Sequence, residues 1–160
     1  MAEDNNKTAY SPFDINRDGV IDINDATLFH RYLQDLRGDA LVKDLVPDEE
    51  GVRSTEEIEQ YLDEVTNKEK NPILFDLFDL VGNGQLDALS DGLLFQRYTQ
   101  GIRDNTLTAG LKTDGSNFSY DERIQLDRRL TKIYTGLTIN DNFEVEGGAV
   151  LGYQLSGFTN

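Results

Sequence analysis

Asp14-Ile15-Asn16-Arg17-Asp18-Gly19-Val20-Ile21-Asp22-Ile23-Asn24-Asp25 decides how the rest of the chain is read. Counted from Asp14, oxygen-bearing side chains fall at positions 1, 3, 5, 9 and 12, and Gly19 holds position 6. A hard divalent cation such as Ca2+ takes roughly six to eight oxygens at flexible geometry, and a turn that folds alternate side chains inward supplies them. The expected ligands are Asp14, Asn16, Asp18, the Val20 carbonyl, Asp22 through a water, and Asp25. Asp25 also opens the following helix, where its charge suits the N-terminal dipole. Ile21, at position 8, is the residue expected to make a short strand contact with a neighbouring loop. An ordinary Asp/Asn/Gly turn and N-cap would use the same residue types. Five ligand positions plus the glycine, leading straight into an amphipathic helix, form the more specific pattern.

The chain repeats this unit. Phe13-Asp14-Ile15 returns as Phe78-Asp79-Leu80 at an offset of 65, and Leu28-Phe29-His30-Arg31-Tyr32 returns as Leu94-Phe95-Gln96-Arg97-Tyr98 at an offset of 66. One residue has therefore entered the second loop between its first ligand and its helix. Downstream, Leu36 to Leu41 matches Ile102 to Leu107, and the capping-box pair Ser54 and Glu57 returns as Ser119 and Glu122. The second loop keeps Asp79, Asn83, Gly84 and Asp87 in register and places Gln85 at position 7, but Val81 replaces the position 3 oxygen and the closing acid, Asp91, is displaced. If the inserted residue bulges, Asp91 still reaches an ion, Ser90 can contribute, and a second, weaker Ca2+ site results. If it does not bulge, the loop only pairs with the first.

Apolar spacing predicts helices that bury Leu28, Phe29, Tyr32, Leu33 and Leu36, and in the second copy Leu94, Phe95, Tyr98 and Ile102. Two further stripes are Ile58, Tyr61, Leu62 and Val65, and Leu126, Leu130, Ile133, Tyr134 and Leu137. Pro12 leaves little room for an entering helix, whereas Pro72 opens a short turn over Ile73 to Phe78. The expected fold is all-α, with duplicated calcium-loop-plus-helix units and additional linker helices in one compact domain. Residues 1–10 read as a flexible segment, 11–70 as the first repeat, 71–137 as the degenerate second, and 138–160 as a truncated third packing on the same core. The third rests on the likeness of Val150, Leu151, Leu155, Gly157 and Phe158 to Leu94, Phe95, Thr99, Gly101 and Ile102. Its loop equivalent, Asn140-Asp141-Asn142, lacks the ordered acids of a metal site.

These residues resemble EF-hand-type loops and, more closely, the dockerin modules of bacterial extracellular assemblies. In dockerins a D-x-N-x-D-G loop closing on Asp leads into a helix with an apolar pair and a basic-Tyr step, here Leu28-Phe29 and Arg31-Tyr32. The second copy, with its Asp-Ala-Leu-Ser-Asp-Gly extension, is similar to dockerin-type repeats of large bacterial surface and secreted proteins. The resemblance covers about 25 residues in each unit. It implies calcium-dependent folding, extracellular placement within a larger protein and, for true dockerins, docking onto a cohesin. Two features depart from it: linkers with an extra helix separate the copies, and the Ser-Thr pair that many dockerins present to cohesin is Ile23-Asn24 and Ala88-Leu89 here.

Composition narrows the function classes. Thirty acidic against fifteen basic residues give a net charge of -15. Bound cations would relieve that self-repulsion. The basic residues are scattered, which argues against nucleic acid and against an anionic membrane as partners. The absence of cysteine excludes disulfides, thiolate catalysis and Cys-ligated metals. Met1 to Tyr10 carries no apolar run, so it reads as neither signal peptide nor anchor, which leaves a cytoplasmic protein or a piece of a larger secreted chain. The expected function is a calcium-binding structural or protein-interaction module, not an enzyme. A free-standing calcium sensor or buffer is the alternative. A hydrolase using acid pairs such as Glu49-Glu50 or Asp63-Glu64 has less support, because such pairs are common on solvated faces and no nucleophile-base arrangement accompanies them. His30, replaced by Gln96 in the second copy, reads as a surface residue. Spacing alone leaves Mg2+ or a lanthanide open as the ion.

Overall fold

A computed structural model of the chain describes residues 10–47, 49–112, 118–134 and 136–146. The first helix, α1 (Ile23–Leu33), starts at Asp22 because the Asp22 carboxylate accepts from the Asn24 N–H while Asp25 reaches back to the Asp22 N–H. This reciprocal cap satisfies donors that the helix leaves unpaired. After a short α2 (Asp39–Val42), the Ser54 and Glu57 box opens α3 (Thr55–Thr66), which buries Ile58, Tyr61, Leu62 and Val65 as the spacing predicts. Asn71 caps α4 (Pro72–Phe78), with the proline in the first turn. A π-helical turn (Ala88–Gly92) runs into α5 (Leu93–Thr99), and a 3-10 turn follows at Asn105–Leu107. Ser119 and Glu122 cap α6 (Tyr120–Thr131), which continues into a 3-10 turn at Lys132–Tyr134. The described chain is thus mostly helical; its strands are two residues each, β1 (Thr138–Ile139) and β2 (Val145–Glu146), with Tyr10 bridged to Ile139.

The core sits between the two sequence repeats. Phe13, Phe29, Phe78 and Phe95 are fully buried and meet in one cluster. Phe13 lies 4.8 Å from Phe78, and the crossed pairs Phe13–Phe95 and Phe29–Phe78 lie at 5.8 and 5.0 Å. Each copy therefore buries its loop phenylalanine against the helix phenylalanine of the other, the reciprocity expected of a self-complementary contact. Tilted and edge-on rings at these separations add about 0.5–1.5 kcal/mol per pair beyond area burial.

Several expectations are corrected. Leu36 and Ile102 do not extend their helix stripes: α1 and α5 end earlier, where Leu36 N–H bonds to the Arg31 carbonyl and Ile102 N–H to the Arg97 carbonyl. Such six-to-one bonds close a helix, and Asp35 takes the left-handed position at φ 68°. Leu36 is consequently exposed and Ile102 half-buried. Tyr134 is also exposed, although its ring stacks on Tyr98 at 5.9 Å. His30 is half-buried rather than fully on the surface: its Nδ1 edge lies against Gly92, where a Cβ would be 2.9 Å away. Among the described residues no backbone bridge joins Ile21 to the second loop; Ile21 and Leu86 both pack on the core instead. The copies meet through α1, the π turn and α5 rather than through their loop edges. Residues 138–146, the start of the expected third copy, form the antiparallel hairpin; Gly148 to Phe158 and residues 1–9 lie outside the described residues.

Candidate metal centre

Three of the expected ligands converge. Carboxylate oxygens of Asp14, Asp18 and Asp25 lie within 4.8 Å of one another. Asp14 is 4% exposed and Asp25 wholly buried. Burying an acid is costly unless it is paired or hydrogen-bonded, and the loop backbone supplies the bonds. Asp14 Oδ1 accepts from the Asp18 N–H at 3.2 Å and Oδ2 from the Gly19 N–H at 2.8 Å. Gly19 adopts φ 92°, the left-handed conformation the turn requires. Asp25 accepts from the Asn16 N–H at 3.2 Å and the Asp22 N–H at 2.9 Å.

The remaining expected ligands are placed as follows. Asn16 is fully buried, and its Nδ2 donates to the Leu45 carbonyl at 3.0 Å. That bond fixes the amide so that Oδ1 faces the loop and accepts from Asp18 N–H at 3.1 Å. Val20 is exposed and donates its N–H to Asp18 Oδ1. Asp22 spends one oxygen on the helix cap and stands outside the three-carboxylate cluster. The loop opens onto a cleft of about 370 Å3 lined by Asp14, Asp18, Glu49, Glu50 and Arg17 among others. It is wide enough to admit an ion, and the Glu49-Glu50 pair lies on its wall.

Burial raises the proton affinity of these acids. It pushes Asp25 up to about 8, aided by the charge of Asp14 and opposed by the Asp22 and Asn16 N–H bonds. Asp14 rises to about 6, also through burial and with the Asp18 charge beside it. Three acids at one point, two of them reluctant to ionise, fit a cation that displaces their protons.

The second loop keeps the same shape. Asp79 Oδ1 accepts from Gly82 and Asn83 N–H at 3.0 and 3.2 Å, and Oδ2 from Gly84 N–H at 2.7 Å. Asp91 Oδ1 accepts from Val81 N–H at 3.0 Å and Oδ2 from Asp87 N–H at 3.0 Å, the bonds Asp25 makes in the first loop. The inserted residue is absorbed by the π turn, where Gly92 N–H bonds to the Asp87 carbonyl five residues back. An insertion accommodated as a π bulge leaves the helix beyond it in register, so Asp91 regains the place its sequence position had put in doubt. Burial lifts its carboxyl to about 7 against the Val81 and Asp87 bonds. The ligand set is poorer, however. Asn83 stands where Asp18 does and brings no charge, and Val81 has no side-chain oxygen where Asn16 stands; Gln85, like Val20 in the first loop, is exposed. The Ser90 hydroxyl is buried without a hydrogen-bond partner.

One supporting residue was missed by sequence reasoning. Arg53, 6% exposed, donates to the Ile15 carbonyl at 2.8 Å, its N–H bonds to the Asn16 carbonyl at 2.9 Å, and its guanidinium lies 4.0 Å from the Tyr61 ring centre. It also bonds to the Tyr10 hydroxyl. Arg53 thus straps the linker under the first loop. The copy has Phe118 at that position, so the repeat pattern carries no signal for it. No family model, curated protein or solved structure matches the chain.

Proposed function

We propose that the chain is a calcium-held structural or protein-interaction module, built from two loop-plus-helix units of which the first binds the ion and the second completes the core. The observation that carries this reading is the convergence of Asp14, Asp18 and Asp25 within 4.8 Å. Oxygen-only donors, a buried amide oxygen and a glycine-hinged turn suit Ca2+ better than Mg2+, which keeps several waters and demands stricter geometry. The proposed ligands are Asp14, Asn16, Asp18, the Val20 carbonyl, Asp22 through water, and Asp25. The module belongs to an extracellular or surface protein, by the resemblance of its loops to dockerin repeats. Its proposed partner is a protein, but Arg31 and Arg97 of the basic-Tyr step are turned inward onto the Leu41 and Leu107 carbonyls, so cohesin docking draws no support from them.

Isothermal titration of calcium into the natural chain and into Asp14→Ala tests the assignment. The natural chain is expected to bind, and the variant to lose the tightest site. Unchanged stoichiometry and affinity in Asp14→Ala would remove the first loop from consideration. NMR spectra with and without chelator separate a structural module, which loses tertiary order without the ion, from a sensor folded in both states.

A further inference from the structure

At the second loop the turn at Gly82 is covered from outside. A Cβ built on Gly82 would lie 2.6 Å from Nη2 and 2.8 Å from Nη1 of Arg129. The guanidinium of α6 therefore rests on the loop backbone, in the space that a side chain at position 4 would fill. Gly82 adopts φ 81°, a conformation that glycine takes without cost, and its missing side chain leaves the room in which the guanidinium sits. The adjoining cleft, about 220 Å3, is lined by two acids, Asp76 and Asp79, and two bases, Lys68 and Arg129.

The first loop is the reverse case. Its position 4 is Arg17, at φ 62°, and that guanidinium lies 4.3 Å above the Tyr10 ring and 3.3 Å from Asp141. The cleft beside it carries four acids, Asp14, Asp18, Glu49 and Glu50, against that one base. The two loops share a backbone course and differ in how their charge is met.

We propose that Arg129 is a tethered cation that takes over part of calcium's role at the second loop, holding that loop in shape without metal and suppressing its affinity for the ion. The proposal rests on the reading of the first loop as the calcium site. Two electrostatic consequences follow. A fixed positive charge at the mouth of the site repels an incoming divalent ion, and it screens the loop carboxylates from one another. Because Asn83 stands where the first loop has Asp18, the guanidinium needs to offset less negative charge than the first loop presents.

The test is calcium chloride titration of the full chain, monitored by calorimetry, for the natural sequence, Arg129→Gln, Arg129→Met and Arg129→Lys. The natural chain is expected to take up one ion tightly. Arg129→Gln and Arg129→Met should gain a second ion, or bind it at least about tenfold more tightly than the natural chain, while Arg129→Lys stays near the natural chain. Arg129→Gln combined with Asp14→Ala should retain only the gained site. Neutral variants that titrate like the natural chain overturn the proposal and leave the first-loop reading standing, as does a natural chain that already binds two ions equally well. A natural chain that binds none while Arg129→Gln binds one overturns the first-loop reading and keeps this one. If the neutral variants lose more tertiary order in chelator than the natural chain does, recovery to the natural chain's calcium-bound state on adding calcium supports the tethered cation and failure to recover overturns it.

Discussion

At the residue scale the buried acids set the pH behaviour. An unfolded aspartate titrates near 3.9, whereas Asp14, Asp91 and Asp25 are held at about 6, 7 and 8. Each folded value lies above its unfolded one, so the folded state binds more protons between them. The corresponding stability is fully present below about pH 4 and is lost as pH rises through 6, 7 and 8. The slope is about 1.4 kcal/mol per pH unit for each proton retained. Asp18 and Asp22 face Asp14 and Asp25, and Asp79 faces Asp91, so ionisation accumulates like charge as well. Urea midpoints in chelator should therefore fall from pH 5 to pH 9. With saturating calcium the ion replaces those protons, the decline should flatten, and calcium affinity should rise with pH. Chelated stability that is flat across this window would contradict the buried, metal-free acids described above.

At the element scale α1 packs closely on the π turn of the other repeat. A Cβ on Gly92 would meet His30 Nδ1 at 2.9 Å and His30 Cα at 3.3 Å. Gly92 has φ -62°, so alanine is free of backbone strain there, and helix propensity alone would favour it by about 1 kcal/mol. Overpacking costs about 1–3 kcal/mol and should win. Gly92→Ala is expected to destabilise by about 1 kcal/mol in the natural background and to be neutral or stabilising in His30→Ala. Denaturant unfolding of the double-mutant cycle gives the coupling; additive effects would mean that the two residues do not press on each other.

The same elements show what the sequence could and could not carry. The starts of α3 and α6 were legible because Ser54 and Ser119 are local caps, and that of α4 from Pro72; the Asp22 cap of α1 and the Asn71 cap of α4 were not, Asp25 being the residue expected to open the first helix. The stripes of α3 and of α1 up to Tyr32 follow from spacing within one helix. The single-residue insertion was legible as a count, with its consequence left open between two outcomes, because residue spacing cannot distinguish a π turn from a register slip. Leu36 and Ile102 were misplaced because a helix end set by a six-to-one bond is invisible to periodicity. The Arg53 strap under Ile15, the His30 wedge and the Arg129 cover on Gly82 were illegible. Each joins residues distant in sequence.

At the scale of the whole molecule, the net charge of -15 and the shared phenylalanine cluster pull in opposite directions. Self-repulsion of the compact state is spread over the surface and is screened by any salt, but the first loop concentrates part of it where the cleft holds four acids and one base. Monovalent salt should therefore raise the thermal midpoint of the chelated protein gradually, whereas calcium should raise it saturably and by more at the same ionic strength. For an ion that binds only the folded state, stabilisation is about 2.7 kcal/mol at a hundred times Kd. In a chain of this size each kcal/mol moves the midpoint by roughly 2–4 °C, so a shift of about 5–10 °C is expected. Both loops should melt together, because Phe13 and Phe78 are buried against each other and neither unit keeps its core alone. Calorimetric scans in chelator, in matched sodium chloride and in millimolar calcium decide the matter: a calcium midpoint no higher than the sodium chloride one would mean that the ion acts on net charge alone, with no site in the first loop.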